Sequence, residues 1–288
     1  MQYAVIIPVL NAGPALLSLV DSLLEQTIQP EEILIVDSSS DDGYPAKATK
    51  KEKVRLISIR RESFDHGGTR DMALRSCTTP FVIMMTQDAI PVNNQCMENL
   101  LVPFADPQVA AACGRQIAKP DAKPAEKAVR EFRYPAESDV WEKKDIEKKG
   151  ITAFLLSDVC AAYRVSAFET VGGFKQPLET NEDMLIAADF LDAGYKLAYQ
   201  GDAMVYHSHD YTLSQEYERN RKIGIFMQKY GNRFTGSSVN GEGFRLVKSV
   251  TGKLLKEGHL VSIPSFGMNC AARLLGSRNG KKTGGEQE

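Results

Sequence analysis

The sequence predicts an α/β protein with an open, mostly parallel central sheet and helices on both faces. Short apolar runs rich in Val and Ile alternate with segments of helical period over the first 110 residues, in steps of about 25 residues. Polar loops of Asn, Asp, Ser and Gly close the apolar runs. The chain has 288 residues, 43% hydrophobic and 25% charged, an ordinary globular composition. Its length allows a large core without covalent staples.

Ala4–Val9 reads as the first strand, stopped by the turn Asn11–Ala12–Gly13–Pro14, and Ala15–Gln26 as a helix with Leu16, Leu19, Val20 and Leu23 on one face. Strands follow at Glu32–Val36, Val54–Ile59, Phe81–Met85 and Val109–Cys113, with helices at Thr69–Ser76 and Glu98–Phe104. Residues 119–150 interrupt this rhythm with dense Lys, Glu and Asp, and read either as a solvated helical insertion or as a mobile segment bordering a binding cleft on the acceptor side. Apolar segments return at Phe154–Leu156 and Val159–Tyr163, then helices at Ser166–Val171 and Met184–Ala193. Two short strands are expected at Lys196–Tyr199 and Ala203–Tyr206, and a long helix at Leu213–Tyr230. The composition of the last dozen residues, SRNGKKTGGEQE, predicts disorder.

The net charge of -2 gives no whole-chain case for nucleic-acid binding. Locally the balance differs: Arg245–Lys282 holds eight Lys or Arg against Glu257 alone. Five cysteines, at 77, 96, 113, 160 and 270, form no CxxC pair, which argues against a disulfide framework or a Cys-based zinc site and for a reducing compartment. The N-terminus lacks the basic n-region and apolar core of a signal peptide, and no run of 18 apolar residues occurs. A cytoplasmic protein is expected.

Open α/β sheets bind ligands outside the carboxyl ends of their strands, so the polar clusters after strands carry the chemical information. Asp37 and its Ser-Ser-Ser-Asp-Asp-Gly loop read either as an acceptor for a nucleobase or ribose, or as a turn. His66–Gly67–Gly68–Thr69–Arg70 reads either as a backbone cradle for an anion, with Arg70 adding a charge, or as a glycine turn capped by Thr69. Asp88 ends an apolar strand, where a carboxylate can hold a hard cation. Asn181–Glu182–Asp183 opens a helix, where acids serve either as dipole partners or as a general base. Neither the GxGxxG nor the GxxxxGK[ST] cradle is present.

The order of these clusters, together with FDHGGTR, TQDAIP, VGGF, NEDM and VYHSHDYT, resembles family 2 glycosyltransferases of the GT-A fold from about Tyr3 to Tyr230. It looks most like their bacterial rhamnosyltransferase branch. The resemblance implies a Rossmann-like GT-A domain over residues 1–230 and a basic helical extension over 231–288. It implies Asp183 as catalytic base with Glu182 beside it, and a donor site of Pro8, Asn11, Asp37, Ser39, His66, Gly67, Gly68, Arg70, Gln87 and Asp88. Asp88 with His207, or less readily His209, is implied to hold Mg²⁺ or Mn²⁺ on the donor diphosphate; alternation along a strand is expected to turn the two histidines to opposite sides. Thr86 stands where many members carry the first Asp of a DxD motif.

The implied reaction is inverting transfer of a sugar, L-rhamnose from dTDP-L-rhamnose, to a glycan or polyprenyl-linked acceptor in surface polysaccharide assembly. The basic extension reads either as helices packed on the catalytic domain or as a segment resting on an anionic inner membrane surface. Two other classes stay open at this point: a sugar-1-phosphate nucleotidyltransferase, and a GT-A-like binding subunit with lapsed catalysis.

Overall fold

The computed structural model describes residues 1–234 and 239–284. The chain forms two compact units. The first comprises Met1–Gln116, Ala136–Lys144 and Phe154–His207; the second comprises Ile117–Pro135, Asp145–Ala153 and Ser208–Glu288.

The strands are β1 Tyr3–Val9, β2 Glu32–Asp37, β3 Val54–Ser58, β4 Phe81–Met85, β5 Ile90–Pro91, β6 Val109–Ile117, β7 Asp139–Trp141, β8 Cys160–Arg164 and β9 Lys196–Tyr206. They form one sheet in the order β3-β2-β1-β4-β8-β6-β9-β5, with β7 added on β9. β3-β2-β1-β4 is parallel, and β8 is inserted antiparallel to both β4 and β6, so that β6 keeps the direction of β4. The sheet is therefore mixed, its common strand direction interrupted at β8. The apolar runs of β1, β2 and β4 are almost wholly buried, as strands covered on both faces must be.

The helices of the first unit are α1 Ala15–Leu24, α2 Tyr44–Ala48, α3 His66–Arg75, α4 Cys96–Leu101, α7 Val165–Thr170 and α8 Glu182–Asp192. Leu16, Leu19, Val20 and Leu23 of α1 are buried in the core with Val5, Ile7, Ile33 and Ile35. In the second unit stand α5 Pro124–Arg133, α6 Ile146–Lys149, α9 Leu213–Tyr230, α10 Val239–Lys256 and α11 Ser262–Gly284.

Four local expectations are corrected. Phe154 closes a 3-10 turn over Gly150–Phe154, so the apolar run there is not a strand. The two strands expected around Gly201 are one continuous β9. Gly201 is needed because a Cβ there would lie 1.7 Å from the Ala136 carbonyl oxygen. The charged insertion is not wholly helical, since Asp139–Trp141 pairs antiparallel with β9 and buries Trp141.

The fourth correction concerns the C-terminus. Residues 277–284, expected to be disordered, continue α11; residues 285–288 lie outside the described residues. Gly276 and Gly280, one turn apart on α11, face α9 so closely that added Cβ atoms would lie 2.3 Å from the Tyr217 oxygen and 2.0 Å from the Arg221 oxygen. The glycines that suggest disorder by composition are contact positions between two helix backbones. That pairing places α9 with the C-terminal helices in the second unit.

Gly280→Ala is expected to lower stability by about 1–3 kcal/mol, the usual cost of overpacking, read from chemical denaturation midpoints. Gly267→Ala in the same helix, where a Cβ meets nothing within 4 Å, is expected to leave the midpoint unchanged or raise it through helix propensity.

Candidate functional site

Strand direction gathers the polar clusters of the first unit along one edge of the sheet. The parallel strands β1, β2 and β4 all end there, delivering Asn11, Asp37 and Asp88. Strand β8 runs the other way and pairs Cys160 with Met85, so Asp158, just before its first residue, arrives at the same edge. Strand β6 runs antiparallel to β8 and brings Gln116. Tyr206 pairs with Ile90, which sets His207 near Asp88.

The loops after β1 and β2 brace each other. The Asn11 backbone N–H donates to Ser40 Oγ at 2.9 Å, and Asn11 Oδ1 accepts from the Asp41 N–H at 2.8 Å. Asp37 is buried and accepts from the Ser40 N–H, while the Ser39 hydroxyl donates to the Ile59 carbonyl. Gln87 is tied to the end of β1, accepting from Leu10 N–H at 2.8 Å and donating to its carbonyl at 3.2 Å. Pro8 lies within β1 opposite Val36. Asn11, Ser39 and Gln87 therefore shape the loop mouth through these internal bonds.

Helix α3 begins with Asp65, not Thr69, as its cap. Asp65 Oδ1 accepts from the Gly68 N–H, and the Thr69 hydroxyl accepts from the Asp65 N–H. The other Asp65 oxygen accepts from Leu178 N–H at 2.6 Å. Further along, Asp71 accepts from Phe174 N–H at 3.0 Å and from Arg75 Nε at 2.6 Å. Gly67 and Gly68 are needed for this docking: Cβ atoms there would stand 2.2 Å from the Lys175 oxygen and 2.8 Å from Gln176 Oε1. The two glycines face the 175–178 loop, which leads directly into α8.

Asn181 takes a left-handed conformation (φ 61°), which Asn tolerates better than most residues, and turns the chain into α8. Glu182 is buried there, with its Oε1 3.1 Å from Arg70 Nη1. Arg70 is itself 4% exposed, and its Nε lies 3.3 Å from Asp158 Oδ2, an ion pair without hydrogen-bond alignment. Tyr163 donates its hydroxyl to Asp158 Oδ1 at 2.5 Å. The Asp158 N–H points at Asp183 Oδ2, 3.4 Å away. His66, partly exposed, has its Nδ1 3.1 Å from Arg70 Nη1 and 3.8 Å from Glu182.

Two carboxylates, Asp158 and Glu182, thus share one buried guanidinium, and Asp183 adjoins them. Burial, then the charges of Glu182 and Asp158, holds the Asp183 carboxyl well above the usual carboxylate range. Burial likewise pushes Asp158 up to about 7, against the opposing pull of Arg70. These two groups titrate together. A carboxylate with raised proton affinity at a helix start, set at the sheet edge, has the chemistry of a general base.

Asp88 and His207 form a second cluster. His207 is buried, with Nε2 3.6 Å from Asp88 Oδ2 and Nδ1 2.8 Å from Gln116 Oε1. Gln116 Nε2 lies 2.9 Å from Ser157 Oγ, a contact compatible with its oxygen toward the ring. In that orientation the ring donates from Nδ1–H and leaves the Nε2 lone pair facing Asp88, the tautomer that a metal-binding histidine requires. One carboxylate oxygen and one imidazole nitrogen on rigid strand ends suit a divalent cation. Strand β9 ends at Tyr206, so the strand alternation expected to separate His207 from His209 does not reach them. His209 belongs to the second unit. The Thr86 hydroxyl is buried without a hydrogen-bond partner among the described residues.

Asp158, Tyr163 and Gln116 were not legible as site residues in the sequence. Their signal is positional: a polar residue just before or after an apolar strand run, visible only once that strand is known to run antiparallel to β4 or β8.

Parallel strands with an acid at the ends of β2 and β4, a buried acidic cluster at a helix start and a histidine after the last long strand define a GT-A-like sugar-transferring enzyme. Residues 4–172 match the sequence model of the family described as glycosyl transferase family 2, and the chain belongs to that family. The O-antigen chain rhamnosyltransferase RfbN of Salmonella typhimurium is 38% identical over 284 residues, covering 98% of this chain and 90% of that protein. The O-antigen chain rhamnosyltransferase WbaN of Salmonella anatum is 40% identical, covering 97% and 89%. Among solved structures, the mannosyltransferase PcManGT of Pyrobaculum calidifontis superposes with a TM-score of 0.67 at 17% identity, covering 96% of this chain and 86% of that one. The protein is a glycosyltransferase, which decides against the nucleotidyltransferase and lapsed-subunit readings.

Arg70→Met is expected to destabilise the fold by about 3–5 kcal/mol, because it strands Glu182 and Asp158 as buried charges without their counter-ion. Urea denaturation at neutral pH measures this. The loss is expected to shrink as pH falls below the raised value of about 7 for Asp158, where that carboxyl is neutral and needs no counter-ion.

Proposed function

We propose that this chain is an inverting rhamnosyltransferase. It moves L-rhamnose from dTDP-L-rhamnose to a hydroxyl of a polyprenyl-linked glycan in O-antigen-type surface polysaccharide assembly, at the cytoplasmic face of the membrane. The observation that carries this reading is the 38–40% identity, over nearly the whole chain, with two O-antigen chain rhamnosyltransferases.

Asp183 takes the proton from the acceptor hydroxyl as that oxygen attacks the anomeric carbon from the face opposite the leaving diphosphate. Glu182 and Arg70 hold the start of α8 in place. Asp37 lies at the edge of the sheet where it can accept from the base of the donor. Asp88 and His207 would hold a divalent cation, and when bound it would supply positive charge toward the diphosphate of the donor. The imidazole ligand favours Mn²⁺ over Mg²⁺, and the PcManGT structure carries Mn²⁺ with GDP-Man.

The direct test offers the purified protein dTDP-L-rhamnose, UDP-sugars and GDP-sugars with a lipid-linked acceptor. Release of dTDP is expected; turnover with a UDP- or GDP-sugar and none with dTDP-rhamnose overturns the donor assignment. Asp183→Asn is expected to lower kcat by about 10²- to 10⁴-fold while donor affinity by calorimetry stays within about threefold of wild type. Gln116→Leu is expected to weaken Mn²⁺ binding about 10- to 100-fold by releasing the His207 ring, measured by calorimetry or by the Mn²⁺ electron-spin signal without substrate.

A further inference from the structure

Exposed large apolar side chains are unevenly spread along the chain. Of fifteen such residues among those described, eight lie between Phe244 and Leu275, in α10, α11 and the turn joining them. Helix α10 has two apolar faces. Leu246, Val250 and Leu254, spaced four apart, are buried against Ala128, Val129 and Phe266. Phe244, Val247, Thr251 and Leu255, at i, i+3, i+7 and i+11, form a second stripe adjoining that face and turned toward solvent. Phe244 is 72% exposed and Leu255 55%.

At the end of α10 the chain turns at Gly258 and presents Leu260 and Val261, the latter 92% exposed. Lys248 and Lys256 flank the stripe, both exposed and with no ion pair to the described residues. No described helix is long and apolar enough to cross a membrane. An apolar stripe with long basic side chains along its border is the surface that lies in a headgroup layer: the apolar groups enter the acyl boundary and the lysines reach anionic phosphates.

We infer that the α10 stripe and the Leu260–Val261 turn form a docking surface for an anionic phospholipid bilayer. This rests on the reading of a membrane-linked acceptor above, and it names the face of the second unit that meets the lipid. The local excess of Lys and Arg over Arg245–Lys282 selects a bilayer bearing negative charge over a neutral one.

The test is co-sedimentation of the full chain with vesicles of phosphatidylcholine alone, or with about a third phosphatidylglycerol. Binding to the anionic vesicles is expected, weakened by salt. Phe244→Ser/Leu255→Ser/Val261→Ser and, separately, Lys248→Glu/Lys256→Glu are each expected to reduce it at least about tenfold without lowering the melting temperature. Both variants are expected to keep wild-type transfer to a soluble acceptor analogue. Absence of binding to either vesicle, or binding unchanged in both variants, overturns the inference. So does concentration-dependent dimerisation lost in the serine variant, which assigns the stripe to a second copy. Failure of transfer by the wild type on the soluble acceptor speaks against the transferase reading instead, so the two outcomes are separable.

Discussion

The site is organised around one buried cation. Arg70 stands between Asp158 and Glu182, and those two acids adjoin Asp183. Without a guanidinium there, three carboxylates could not be held together out of water; some would take up protons or the start of α8 would move. A buried ion pair adds little net stability by itself. What Arg70 supplies is placement: it joins α3, the segment before β8 and the start of α8. The hydrogen bonds of Asp65 and Asp71 to the 174–178 loop serve the same end, because that loop carries the chain into Asn181 and Glu182.

Topology does the remaining work. A wholly parallel sheet would deliver only strand ends of one kind to the site. By reversing direction at β8, the sheet brings the beginning of one strand and the end of its neighbour to the edge already occupied by Asp37 and Asp88. Gln116, held by Ser157, can therefore orient His207 toward Asp88. The proton-accepting cluster and the cation-suited pair both belong to the first unit and share its edge, but they are held by separate hydrogen-bond networks.

Much of this was legible in the residues, and the exceptions have physical reasons. The strands β1, β2 and β4 announce themselves as buried β-branched runs, and α9 occupies the expected Leu213–Tyr230. Glycine misleads in three places because composition reports only its freedom. At Gly201 it admits a neighbouring carbonyl into a continuous strand, at Gly67 it admits a loop, and at Gly280 it admits a helix backbone. Arg70 reads as an anion contact because the sequence does not disclose that its anions are the protein's own. Asp158 is silent because its meaning depends on the direction of the strand that follows it.

The most direct measurement is the pH dependence of single-turnover transfer with donor and cation saturating. A base must be unprotonated to act, and a raised proton affinity keeps it protonated to higher pH. The rate should accordingly fall as pH drops through the raised value of Asp183, with an acid limb well above the ordinary carboxylate range. A rate that stays flat down to about pH 5, and falls only near the ordinary carboxylate value of about 4, contradicts the account of Arg70 and the three acids as one coupled unit.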